Sequence, residues 1–192
     1  MPIDRTKIKR EELLDILEIW DEIRGVRDMP REGEMGPIEL APFLQNLMLV
    51  DIHHPGPRIQ YKQVGLELER VYGKTISGTF LDEMPKMFRR FAEPAYTEIL
   101  DDKQPSFAKF RFVERFWIAT YERLMLPLGN PRNDRVSEII VAILKEAQTV
   151  RRKGGNTAAA VVLVERCGDY GVELVQDKKS GGWEGRPCPS TS

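Results

Sequence analysis

Cysteine is scarce: Cys167 and Cys188 are the two in 192 residues, and both come late in the chain. That excludes a disulfide framework and a paired-cysteine zinc motif. Histidine is equally rare, His53 and His54 being the whole supply. Neighbours on a strand point to opposite faces, so one of them at most could serve a given site, and no metal is expected. A surplus of one charge is missing too. Lys and Arg total 29 against 30 Asp and Glu, a net charge of −1. Proteins that grip phosphates need a basic surplus, so no nucleic-acid partner is expected. Long apolar runs are absent: the longest, 158–164, is too short for a bilayer, and residues 1–10 lack an apolar signal core. The expectation is a cytoplasmic protein without membrane insertion.

What is present fits a folded domain, with 41% hydrophobic and 31% charged residues. Residues 13–24 read as a helix, because Leu13, Ile16, Leu17, Trp20 and Ile23 recur at three-to-four spacing and Gly25 stands ready to stop it. Prolines and glycines make 25–42 a connecting loop, with a short helical turn over 37–44. Residues 46–53 form a strand around LMLVDI. His54-Pro55-Gly56-Pro57 is a turn, and 58–64 a second strand with Ile59 and Tyr61 on one side and Arg58, Gln60 and Lys62 on the other.

Helical fragments broken by Gly73 and Gly78 follow, then a better helix over 85–101 with Pro94 as a kink or break. Three strands come next, at 107–115, 121–128 and 135–144. The order helix, two strands, helical middle, three strands implies an α+β fold on one mainly antiparallel sheet of five strands. Beyond it, 158–165 and 170–176 can pair as a hairpin, and 178–192 has the composition of a disordered tail.

No catalytic constellation emerges. Gly73-Lys74-Thr75 lacks the upstream glycine of a phosphate loop, Leu68 standing in its place. The acidic pairs Glu67/Glu69, Asp82/Glu83 and Asp101/Asp102 do not converge on a point. Ser77, Ser106 and Ser137 have no histidine partner in sequence reach. Lys109 and Arg111 alternate with Phe110 and Phe112, which places the aromatics inward and the charges outward on a strand.

Several stretches resemble successive blocks of a bacterial PAS-like family, mostly of alphaproteobacteria: "IWDEIRGVRDMPREGEMGPIELAPFLQNLMLVDI", "IQYKQVGLELERVYGKTISGTF" and "YERLMLPLGNPRNDRVSEIIVAIL". Trp20, Met29-Pro30, Pro37, Tyr61, Gly65, Gly73, Gly78 and Leu126-Pro127-Leu128 carry the likeness, over residues 10–146. Residues 1–9 and 147–192 are then extensions. The resemblance implies a non-enzymatic sensory or signalling module without a required cofactor. Its central helices would lie on one face of the sheet, beside an N-terminal flanking helix. Such domains hold a small ligand, or nothing, between sheet and helices.

Two features give that implication residues. Tyr61, Tyr72, Phe80, Phe88, Phe91, Phe110 and Phe112 are an aromatic set able to frame an apolar pocket. The last strand is apolar on both faces, and such a strand is covered on both. Central helices cover one face. The other calls for the 13–23 helix, the tail hairpin or a second subunit, and a homodimer is the expectation. In the alternative reading the protein is a docking adaptor for a signalling partner, contacting it through Leu13, Leu17, Trp20, Trp117, Tyr121 and Met125.

Overall fold

The computed structural model describes residues 3–72, 75–113, 117–132, 134–150, 161–166, 171–176 and 183–187, with side chains for these except 71, 72, 87, 111–119 and those from 147 onward. Helices are α1 (Glu11–Arg24), α2 (Leu66–Tyr72) and α3 (Lys86–Asp102), with short 3-10 turns at Ala41–Asn46 and Leu81–Glu83. Strands are β1 (Leu47–His53), β2 (Arg58–Val64), β3 (Ser106–Val113), β4 (Trp117–Gly129), β5 (Val136–Val150), β6 (Val161–Arg166), β7 (Gly171–Gln176) and β8 (Trp183–Pro187). The chain is α+β. Its first five strands form an antiparallel open sheet in the order β2-β1-β5-β4-β3, and β6-β7-β8 continue from β3. Among the described residues no helix is long and apolar enough to cross a membrane.

Two compact units share the chain. Met1–Ser106 and Leu124–Ile143 make the first; Phe107–Arg123 and Leu144–Ser192 make the second. Strands β4 and β5 therefore each contribute to both.

In the first unit, α1 begins with Glu11 and Glu12 and ends with Arg24, charges that complement the helix dipole. Gly25 closes it at φ 56°, a left-handed value that a side chain would oppose. The helix buries Leu13, Ile16, Leu17 and Trp20, as its periodicity predicts. Trp20 Nε1 donates to the Pro127 carbonyl of β4 at 2.9 Å. Just beyond, Gly129 donates to Pro30 and accepts from Glu32, so the 30–32 segment is bound to the end of the same strand.

Register decides the faces of the sheet. Val50 stands opposite Ile139 and Tyr61, while Leu49 stands opposite Ile140, and Leu47 opposite Ala142. Opposed residues share a face, so Ile139 and Val141 lie on one side and Ile140 and Ala142 on the other. All four are buried. This part of β5 is covered on both faces within a single chain. The helical connection between β2 and β3 adds Leu68, Ile76, Leu81, Met84, Ala95, Tyr96 and Ile99 to the core.

Some elements differ from expectation. The 3-10 turn sits at 41–46 rather than over 37–44. Helix α3 runs through Pro94 as one element and ends at Lys103, φ 54°. Strand β5 continues to Val150, and β8 pairs with β7 inside the stretch whose composition reads as a tail. Gly and Pro content hides that strand, since pairing with a neighbour is not a compositional property.

Candidate functional site

The aromatic set divides between the two units. Tyr61 is buried on β2, while Phe80, Phe88 and Phe91 are half-buried in the first unit. Phe80 lies at the hairpin end rather than in the interior. The Arg58 guanidinium sits 3.6 Å over its ring, and the His53 ring is 5.6 Å away. Arg58 also bonds Asp82 at 2.8 Å and Glu83 at 3.2 Å, which ties β2 to the 81–83 turn. The hydrogen bond with Asp82 raises the Arg58 pKa and holds the Asp82 carboxyl below its usual range.

Phe110 belongs to the second unit, where it stacks on Tyr121 at 5.5 Å and 12°. This corrects the sequence reading, which gave Phe110 to an inner pocket and Tyr121 to an outer patch. Stacked rings on neighbouring strands share one face. The side chains of Tyr72, Phe112 and Trp117 lie outside the described residues.

A second correction concerns the docking residues. Leu13, Leu17 and Trp20 are buried in the chain's own fold, and Met125 is buried as well. None of the four offers a free surface. Large apolar side chains that are exposed stand elsewhere, at Val26, Ile38, Leu44 and Leu66. No pattern singles them out, because exposure of an isolated apolar residue has no sequence signature.

The two histidines have different partners. The His53 ring nitrogen lies 2.9 Å from Gln60 Oε1, and His54 Nε2 lies 3.1 Å from the Val136 carbonyl. Among the described residues no group of three or more His, Cys, Asp or Glu could hold a metal ion. Ser77 accepts from the Val64 amide at 3.1 Å and donates to Glu69, and Ser137 faces the Leu128 carbonyl. Glu67 pairs with Arg70 in α2. These side chains have local partners. Gly73 and Lys74 lie outside the described residues.

Two polar clusters escaped the sequence reading. In the second unit Glu122 is fully buried, with Lys109 Nζ 2.7 Å from its Oε1 and 3.3 Å from Glu146. Lys109 therefore points away from Phe110, as alternation predicts, but onto a buried carboxylate rather than into open solvent. Burial alone would lower its pKa, but the hydrogen bonds and charges of Glu122 and Glu146 outweigh that and raise it.

In the first unit Lys62 Nζ lies 2.8 Å from Glu138 and 3.2 Å from Asp51. Asp51 and Glu138 are register partners across β1 and β5. Neither cluster contains a nucleophile beside a base, the arrangement that covalent catalysis needs. Both are formed by residues far apart in sequence, and only pairing register brings them together.

No protein-family model matches this chain, and no curated protein or solved structure matches it significantly.

Proposed function

We propose that the chain is a PAS-type sensory or signalling module of the cytoplasm, acting without catalysis of its own. The observation that carries this reading is the arrangement of its elements. A flanking helix precedes two strands, a helical connection and three more strands, and all five strands join one antiparallel sheet. A small apolar ligand would belong between the helical connection and the sheet face that carries Tyr61, Val50 and Ile139. Phe88 and Phe91 of α3 are the aromatic candidates nearest to that role.

Supporting the reading further, α1 is fastened to β4 through Trp20, and the 30–32 segment is bonded to Gly129 two residues on. A ligand that favours one packing of the core would shift α1 only by its free-energy difference between the two states. Nothing in this arrangement asks for a second subunit, since the chain covers both faces of β5 over 139–142.

The test is thermal unfolding of the full chain against a panel of small metabolites. Binding to the native state raises the melting temperature in proportion to the logarithm of ligand concentration. One stabilising compound whose effect is lost in Tyr61→Ala, against a folded Ile38→Ala control, supports the reading. A panel without any stabilising member counts against a ligand sensor.

A further inference from the structure

Asp51 and Glu138 are directly opposed on neighbouring strands. Like charges in that relation repel and destabilise a sheet. The structure answers with a bulge. On β2 the register passes from Leu49↔Gln63 to Val50↔Tyr61, so Lys62 is the extra residue without a partner on β1. A bulge re-aims the side chain it carries. Here the side chain is the ammonium that both carboxylates share, at 3.2 and 2.8 Å. Glu138 is the most enclosed of the three, its side chain 13% exposed against 25% for Asp51 and 45% for Lys62.

We propose that Asp51, Glu138 and the bulged Lys62 form a proton-operated latch, which holds the β1–β2 hairpin to β5 more tightly when Glu138 is protonated. With both acids ionised, one lysine offsets two opposed negative charges. When a proton from solvent joins a Glu138 carboxylate oxygen, that O–H can donate to Asp51. Repulsion becomes a hydrogen bond, and Lys62 stays with Asp51.

The surroundings agree. Burial pushes the Glu138 carboxyl above its usual range; Lys62 opposes this and Asp51 adds to it. Lys62 itself is raised, chiefly by its bond to Glu138, so it stays charged through neutral pH. Charged groups acting on Glu138 are thus Lys62 from β2 and Asp51 from β1. The β4 stretch 124–129, LMLPLG, brings no charge. Arg31 and Glu32 come in against Gly129, and Asp21 of α1 pairs with both Arg24 and Arg5. His53 and Gln60 beside the cluster bond one another.

The sign follows from linkage. A glutamate whose folded pKa is raised gives its full stabilisation below the unfolded value of about 4.3, and loses it as pH rises through the folded value. The experiment compares urea unfolding of the whole 192-residue chain with that of Glu138→Gln from about pH 4 to about pH 8. The wild-type midpoint should fall relative to the variant as pH rises, and fall more steeply in Lys62→Met. A difference that is flat, or that grows with pH, overturns the latch. Should a variant fail to fold, carbon-13 titration of the wild-type Glu138 side-chain carboxyl decides. Titration above the range of exposed glutamates supports the latch, and titration within or below that range overturns it.

Discussion

Trp20 and Pro127 are 107 residues apart in sequence, and the indole nitrogen of one donates to the carbonyl of the other at 2.9 Å inside the core. The bond fastens the flanking helix to the strand at the point where that strand also binds the 30–32 segment. Trp20→Phe keeps most of the ring but leaves the buried carbonyl unpaired, a cost of about 1–3 kcal/mol. Trp20→Ala adds the lost packing and should cost about 3–5 kcal/mol. Equilibrium unfolding in urea measures both. Equal stability of the phenylalanine variant and wild type would mean that the bond contributes nothing.

Gly65 follows β2, and its neighbour is backbone. A Cβ built there would lie 2.3 Å from the carbonyl oxygens of both Leu44 and Gln45. No flexible side chain is available to yield. Gly65→Ala should therefore destabilise by about 3 kcal/mol, the upper end of ordinary overpacking costs. The same substitution at Gly56, where nothing lies within 4 Å, is the control and should be nearly silent. Thermal denaturation of the two variants side by side checks the contrast.

Lys109→Ala removes the cation from a fully buried carboxylate, Glu122. Breaking a buried pair from one side typically costs about 3–5 kcal/mol. About 3 kcal/mol is expected here, since Lys109 retains some contact with solvent. Lys109→Ala combined with Glu122→Leu should recover much of the loss, as replacing both charges often does. A double variant no more stable than the single one would contradict the pairing.

Much of the fold was legible because local rules and burial agreed. Strand β2 begins and ends where alternation and the Pro55-Gly56-Pro57 turn predict, with Ile59 and Tyr61 inward. Helix α1 was legible from its apolar spacing and Gly25. The candidate site was not legible, for one physical reason: it depends on register. A one-residue difference in pairing exchanges the faces of a strand. That uncertainty hid the shared face of Phe110 and Tyr121 and the burial of Glu122. It also hid the meeting of Asp51 with Glu138. Lys62 could be read as pointing away from Tyr61, but not as the residue a bulge would aim at two acids.

Coverage of β5 on both faces over 139–142 predicts the energetics of single truncations. Ile139→Ala and Ile140→Ala act on opposite sides of the sheet, and each should cost about 2–5 kcal/mol. Ile38→Ala, at an exposed loop position, should change stability by less than about 0.5 kcal/mol. Urea midpoints for the three variants test this. A near-neutral Ile140→Ala would mean that the second face is open, and would return weight to a covering subunit.

If the chain is a sensory module of the kind proposed, it holds a small ligand between sheet and helices. The direct test is native mass spectrometry of the purified 192-residue chain, followed by denaturation to release anything bound. The expected result is a protein mass that exceeds the chain's own by one small molecule, which dissociates on unfolding. A species of the bare chain mass, with no compound of the metabolite panel raising its melting temperature, would contradict the sensor.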